Sequence, residues 1–280
     1  MIITNLSDGL GNQLFQYAFG RVLSLYHGVP LKTNPYWFKH ESNYKVRRYG
    51  LSHFGIDAPE ATWQEIDEYI FADTQWHRLL KPYYKRIRIH EQTYQYDSNV
   101  WKFPSRTFVT GYWQAWRYYA DYQEKISSEL RIVTPPSDCA ARLMERIQSS
   151  PSVAIHIRRG DYLSNPMFNV LPKTYYNDAI TFLQNRYKSL NWYVFSDDPE
   201  WKSDFVLPQN VTLVTGLSDI DDFRLMNATQ HAIIANSTFS WWAAWLKTGH
   251  ERTIIAPKQP FRNASLWSAD DLFPPHFVRL

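Results

Sequence analysis

Val153-Ala154-Ile155-His156-Ile157-Arg158-Arg159-Gly160-Asp161-Tyr162 decides how this chain reads: an apolar run that stops in a cluster of fixed positive charge. The run predicts a buried strand. In open α/β sheets, ligands bind just beyond the carboxyl ends of the strands. Two adjacent arginines at such an edge, with Gly160 for a tight turn, suit a doubly charged phosphate. Guanidinium groups make bidentate, charge-assisted bonds to phosphate oxygens and stay ionised at any working pH. Side-chain alternation puts His156 and Arg158 on one face and Ile157 on the other. His156 is therefore either a nucleotide contact or a satisfied core histidine. The plainer reading of the whole segment is an Arg–Asp pair that pins a loop.

The flanking sequence favours the ligand edge. Residues 151–258 alternate between strand and helix patterns. A helix is predicted over 173–190, with Tyr176, Ile180, Leu183 and Tyr187 at helical spacing behind Pro172. A strand at 192–195 ends in Ser196-Asp197-Asp198-Pro199, and another strand is predicted at 211–214. The next helix, 219–229, is acidic in its first turn, as the helix dipole favours. A strand at 231–235 closes in Asn236-Ser237-Thr238, followed by a helix over 241–247 and a strand over 252–256. Such alternation implies an α/β fold with a mostly parallel sheet and helices on both faces.

Composition bounds the function. The chain has 280 residues, 44% apolar and 20% charged, enough to bury a core in one large or two ordinary domains. A net charge of +3 argues against nucleic acid as a partner. A single cysteine, Cys139, excludes an intramolecular disulfide and a multi-cysteine zinc site, and fits a reducing compartment. No apolar run approaches the ~18 residues of a membrane span. The first residues open directly into a strand pattern without signal-peptide features, which predicts a cytoplasmic protein. Aromatic residues reach 17%. Most should pack the core, yet the enrichment also suits a carbohydrate ligand, whose C–H faces stack on aromatic rings.

The other signal lies at the start. Ile2-Ile3-Thr4-Asn5-Leu6 predicts a strand, Asp8-Gly9-Leu10-Gly11-Asn12-Gln13 a glycine-containing turn, and 14–27 a helix. Such a turn lets backbone amides approach an anion or a sugar. It is not a dinucleotide fingerprint, because Phe15 stands where the third glycine belongs.

Gly9-Leu10-Gly11-Asn12-Gln13-Leu14-Phe15-Gln16-Tyr17-Ala18, the segment 156–162, and Asn236-Ser237-Thr238-Phe239-Ser240-Trp241-Trp242-Ala243-Ala244-Trp245-Leu246 together resemble the bacterial, GDP-fucose-dependent α-1,2-fucosyltransferases of glycosyltransferase family 11. The resemblance runs from the start of the chain to about residue 260 and is thin over residues 30–145, where acceptor choice should reside. It implies a GT-B-type architecture, with two Rossmann-like domains of mostly parallel sheets facing a cleft. It also implies GDP-β-L-fucose as donor, a galactoside acceptor, inversion to an α-1,2 linkage, and no cofactor. The expected organisation is an acceptor domain over 1–134, a polar linker at Thr134-Pro135-Pro136-Ser137, a donor domain over 138–265 and a tail over 266–280.

Charge builds on the departing diphosphate during glycosyl transfer, and either a metal or fixed cations must stabilise it. The resemblance makes Arg158 the β-phosphate ligand, with Arg159, Gly11 and Asn12 as further donor contacts. Ser237, Thr238, Phe239 and Ser240 are expected to complete the cradle at a helix start, with Ser240 as a candidate N-cap. Asp197 and Asp198 match a position where related enzymes read the guanine N–H groups, and are not expected to bind metal. Asp219 and Asp221 suit helix capping. An inverting transferase needs a group to accept the acceptor hydroxyl's proton. Asp161 is the first candidate, with orientation of Arg158 or Arg159 as its alternative role. Asp8 borders the glycine turn where the family commonly has glycine, and Asn12 cannot act as a base. A lipid-linked O-antigen acceptor would bring the protein to the inner face of the membrane, where the basic stretch Lys81–Arg88 would assist or simply be a solvated helix face. Two other readings stand beside this one: a GDP-sugar transferase of the same fold with another acceptor or linkage, and a non-catalytic carbohydrate-binding protein.

Overall fold

The computed structural model describes residues 1–280 except 41–46, 73–78, 164–168, 199–200, 202–206, 248–251 and 263–266. Pro199, part of the predicted strand end, lies outside the described residues. The chain forms two compact units, Met1–Val133 with Leu266–Leu272, and Thr134–Ser265 with Phe273–Leu280.

In the first unit, β1 (Ile2–Asn5), β2 (Leu31–Asn34), β3 (Arg88–His90) and β4 (Thr107–Thr110) form a sheet of order β2-β1-β4-β3, with every pairing parallel. The chain leaves β1 toward β2 on one side and returns through β3 and β4 on the other. The topological switch therefore lies between β1 and β4. Helix α1 (Leu10–His27) lies close on the sheet: a Cβ at Gly20 would stand 2.7 Å from Thr4 Cβ. Gly28 ends the helix at φ 62°, a left-handed cap that glycine adopts without strain. The helix starts earlier than its pattern predicts, with Gly9 as N-cap and Gly11 and Asn12 in its first turn. Two glutamines account for the extension. Gln16 Oε1 accepts the Ser7 amide at 2.8 Å, and Gln13 Nε2 donates to the carbonyls of Asp8 and Arg48.

The second unit holds β5 (Ser152–Ile157), β6 (Asn191–Ser196), β7 (Val211–Val214), β8 (His231–Ile233), β9 (Ile254–Ala256) and β10 (Val278–Arg279). Their order is β10-β9-β8-β5-β6-β7, again parallel throughout. All of β5 is buried, as expected of a central strand covered on both faces. Val153, Ile155 and Ile157 share a core with Tyr176, Ala179, Ile180 and Leu183 of a helix over Lys173–Arg186. From β5 the chain goes first to β6 and later to β8 on the opposite side, so this sheet switches between β5 and β8. That is where the arginine pair emerges.

Three expectations change in detail. The predicted helix at 241–247 begins at Thr238 and ends at Trp245, with Ser237 as N-cap. Trp241, Trp242 and Trp245 are buried beneath it, as their spacing predicts. The basic stretch 81–88 is no helix face: it is a single 3-10 turn, Tyr83–Lys85, running into β3. Residues 266–280 divide rather than form one tail. Leu266–Leu272 belongs to the first unit, where Arg117 Nη1 meets Asp271 Oδ1 at 2.6 Å, and β10 then edges the second sheet.

Candidate active site

Arg158 and Arg159 follow the last residue of β5 and are held by carboxylates from two loops. Arg158 Nη2 lies 2.7 Å from Asp161 Oδ1, and Nη1 lies 3.0 Å from Asp197 Oδ2. The guanidinium also sits 5.4 Å over the Tyr162 ring. This leaves Nε–H and one N–H on each terminal nitrogen uncommitted, and Nε is buried without a hydrogen-bond partner among the described residues. Asp197 does double duty, since its Oδ1 accepts the Arg159 backbone N–H at 2.9 Å. Arg159 Nε lies 2.9 Å from Asp198 Oδ2, an ion pair by distance whose N–H is not aimed as a hydrogen bond. Gly160 is required for space rather than conformation: a Cβ there would stand 2.5 Å from Asp197 Oδ2.

The opposite lip of the switch point is the segment 236–240. Asn236 is buried, and its Nδ2 donates to the carbonyls of Asn169 and Pro260, which removes the sequon from solvent. Tyr162 OH donates to the Asn236 carbonyl at 3.1 Å and ties the two lips together. Ser240 is not the cap expected of it. It lies inside the helix, and its hydroxyl donates to the Ser237 carbonyl at 3.3 Å. Ser237 makes no side-chain cap bond, so its hydroxyl satisfies none of the first N–H groups of the helix. An anion is the natural partner for such a terminus.

His156 is buried, with its ring 6.0 Å from that of Phe239, which in turn meets Phe223 at 5.3 Å. Burial, and secondarily the Arg158 charge, push its pKa down to about 3, so the imidazole is neutral. Its Nδ1 has no partner among the described residues, while Tyr176 OH occupies its carbonyl.

The acidic helix start at 219–222 is capped by Ser218, whose hydroxyl accepts the Asp221 amide. Asp221 pairs with Arg224 at 2.6 Å, and Arg224 also reaches the Thr134 carbonyl, anchoring the linker segment. Asp222, which the sequence did not single out from its acidic neighbours, has Oδ1 buried without a partner among the described residues. Burial first, then Asp219 and Asp221, push its pKa up to about 7. It directly precedes Phe223, which packs on Phe239. Among the described residues no cluster of three His, Cys, Asp or Glu side chains converges as a metal site would require.

In the first unit, Asn12 projects from the opening turn of α1, its Oδ1 accepting from Gln114 Nε2 at 3.2 Å. Gly11 is buried beside it. Most of the large aromatics are core, Trp113, Tyr118, Tyr119, Trp192, Trp241 and Trp242 among them. No helix among the described residues is long and apolar enough to cross a membrane.

Relatives extend this geometry. An α-1,2-colitosyltransferase of Escherichia coli is 32% identical over 100% of this chain and 99% of its own length. A galactoside α-(1,2)-fucosyltransferase 2 of Pongo pygmaeus is 28% identical over 55% of this chain and 50% of its own length. In structure, the fucosyltransferase NodZ from Bradyrhizobium superposes with a TM-score of 0.51 over 86% of this chain and 91% of that one, at 11% identity. NodZ has also been studied as an α-1,6-fucosyltransferase soaked with GDP-fucose. At that identity the likeness shows the fold alone, a GT-B-type pair of α/β units with parallel sheets. The family model for glycosyl transferase family 11 matches residues 4–278, spanning the arginine pair, the serine-threonine lip and the glycine turn alike, and the chain belongs to that family.

Proposed function

We propose that this protein transfers L-fucose from GDP-β-L-fucose to the 2-hydroxyl of a terminal galactoside, with inversion and without a metal ion, in assembly of O-antigen or another surface glycan. The observation that carries the reading is Arg158, fixed by Asp161 and Asp197 at the switch point of the second sheet. In the reaction the acceptor oxygen bonds to the anomeric carbon as the bond from that carbon to the β-phosphate oxygen breaks, and the acceptor hydroxyl's proton passes to a general base. The electron pair stays on the diphosphate. Fixed N–H donors already aimed at that oxygen lower the barrier without reorganising.

In this reading Arg158 meets the β-phosphate, and the amides and hydroxyls of 237–240 meet the other diphosphate oxygens. Arg159 adds charge, and His156 Nδ1 and Phe239 line the nucleotide. Gly11 and Asn12 are further donor contacts in this reading. Asp161 orients Arg158 through Oδ1 and is the first candidate for the base that takes the acceptor proton. Asp197 and Asp198 enter as holders of the arginine pair, because a guanine contact by either competes with those bonds. A lipid-linked acceptor and docking at the inner membrane face remain the proposed setting.

The test is GDP release from GDP-fucose with lactose or N-acetyllactosamine, with and without EDTA, beside Arg158→Ala. Acceptor-dependent turnover that survives EDTA, collapses in the variant and gives an α-1,2 product by NMR is the expected result. Loss of turnover in EDTA with recovery in Mn²⁺ overturns the metal-free mechanism. The full-length identity to an α-1,2-colitosyltransferase supports a second reading, in which the donor carries colitose and the architecture and linkage are the same. A colitosyl donor turned over faster than GDP-fucose would select it.

A further inference from the structure

The first sheet has a ligand edge of its own, at the switch point between β1 and β4, from which the donor reading takes only Gly11 and Asn12. Asp8 stands there just beyond β1, at φ 65°, a left-handed conformation that a non-glycine residue adopts only at a cost. Its Oδ2 accepts from Tyr112 OH at 2.8 Å and from Ser7 Oγ at 3.1 Å. No hydrogen bond involves Oδ1 among the described residues.

Tyr112 reaches Asp8 from just beyond β4 because a second strained turn puts it there. Gly111 sits at φ 154° and Trp113 at φ 56°. The turn is stapled from below by Glu91, whose carboxylate accepts the amides of Tyr112 at 2.6 Å and Trp113 at 3.0 Å. A Cβ on Gly111 would stand 2.4 Å from Glu91 Cβ, so only glycine fits over the staple. Trp113 is locked by stacking on Phe19 at 3.9 Å. The next residue, Gln114, holds the Asn12 amide. Beside Tyr112, at 6.0 Å, Tyr94 stacks on Trp267 at 3.9 Å with an interplanar angle of 5°.

The half-buried Glu91 carboxylate and two strained backbone positions are thus assembled to set one phenol against one carboxylate at a switch point. Strain of this kind persists where function needs it. The groups presented are a carboxylate oxygen with spare lone pairs, a phenol, the Gln114 carboxamide and an aromatic plane. They match a ring with several hydroxyl donors on its rim and C–H bonds on its face, rather than a phosphate or an apolar chain. We propose that the Asp8–Tyr112 pair is a sugar-hydroxyl subsite for the acceptor, with Asp8 Oδ1 accepting a hydrogen bond from an acceptor hydroxyl. This rests on the transferase reading above and names the residues that hold its second substrate.

Asp8→Gly is the decisive variant, because it removes the carboxylate while glycine adopts the left-handed conformation without strain. Initial-rate kinetics are measured against lactose at saturating GDP-fucose and against GDP-fucose at saturating lactose. Asp8→Gly and Tyr112→Phe should each raise the KM for lactose tenfold or more and leave the KM for GDP-fucose within twofold. Their combination should fall short of the product of the two effects, since they remove one interaction. Saturation-transfer NMR of lactose on the GDP-bound protein should weaken in parallel. A lactose KM within twofold of wild type in folded Asp8→Gly overturns the subsite while turnover by the wild type keeps the transferase reading. Loss of affinity for donor and acceptor alike also overturns it, as that is the mark of a merely structural turn. A wild-type protein that binds GDP but neither binds nor uses a galactoside overturns both.

Discussion

Gly160→Ala tests the arginine clamp without touching any charged group. The added methyl would stand 2.5 Å from Asp197 Oδ2 and 3.1 Å from its Cγ, whereas real Cβ contacts stay beyond 3.0 Å. The carboxylate must therefore retreat by about half an ångström or swing away, since contacts inside van der Waals range are repulsive. It cannot do so and keep both partners, because Arg158 Nη1 lies 3.0 Å from Oδ2 and the Arg159 amide 2.9 Å from Oδ1. A hydrogen bond to a charged group contributes about 1.5–3 kcal/mol, so losing one from the clamp should cut kcat/KM roughly ten- to a hundredfold. The fold should hardly notice, because Arg158 and Asp197 retain solvent access and neither is a core group. The assay is acceptor-dependent GDP release, with GDP affinity measured by calorimetry and Tm by scanning fluorimetry. A variant with wild-type Tm and kcat/KM within twofold of wild type would refute the argument that Asp197 must hold both arginines at once.

Arg158→Lys keeps the charge but cannot span Asp161 and Asp197 while offering a planar fork to phosphate, so kcat/KM should fall at least tenfold with Tm nearly unchanged. Asp222→Asn should flatten a pH dependence of stability. With its pKa pushed up to about 7, the folded chain holds a proton that the unfolded chain releases near pH 4. Stability contributed by this group is therefore full below about pH 4 and lost as pH rises toward 7. The variant should gain Tm at pH 8 relative to wild type and gain little at pH 4, as thermal melts across pH will show. Gly20→Ala drives a methyl to 2.7 Å from Thr4 Cβ and 3.0 Å from Leu31 Cδ1, and overpacking of this kind costs roughly 1–3 kcal/mol, read as a lower Tm. Tyr175→Phe strips a buried donor from the carbonyls of Ile234 and Ile255, at 2.7 and 3.1 Å, and should cost about 1–3 kcal/mol with no change in either KM.

Much of the second unit is legible in the order of its residues. Strand and helix alternation from 151 to 258 is a matter of local periodicity. A continuous apolar run such as 153–155 can be buried on both faces only inside a parallel sheet. The arginine pair at the end of that run locates the ligand edge, because chemistry collects at strand ends. Family membership follows from short motifs whose spacing a linear reading preserves. Helix starts were less legible. Gly9 and Gly11 look like one loop until Gln13 and Gln16 are seen to satisfy the amides and carbonyls around them, and Ser240 looks like a cap until Ser237 takes that place.

What only the tertiary structure decided is pairing across long sequence separations. The resemblance makes Asp197 and Asp198 guanine readers, and the adjacency of β5 and β6 brings them to Arg158 and Arg159. Glu91, Tyr112 and Asp8 come from three distant segments; the glycine turn marks Asp8, but nothing in the residues flanking Glu91 and Tyr112 distinguishes them from ordinary surface or core positions. They converge because β3, β4 and β1 are neighbours in the sheet and their carboxyl ends coincide. Periodicity and motifs are properties of nearby residues, carried by backbone geometry that repeats every two or 3.6 residues. Which carboxylate faces which cation, and whether it orients, binds or is merely buried, depends on strand order and register, which the chain sets only when the whole sheet closes.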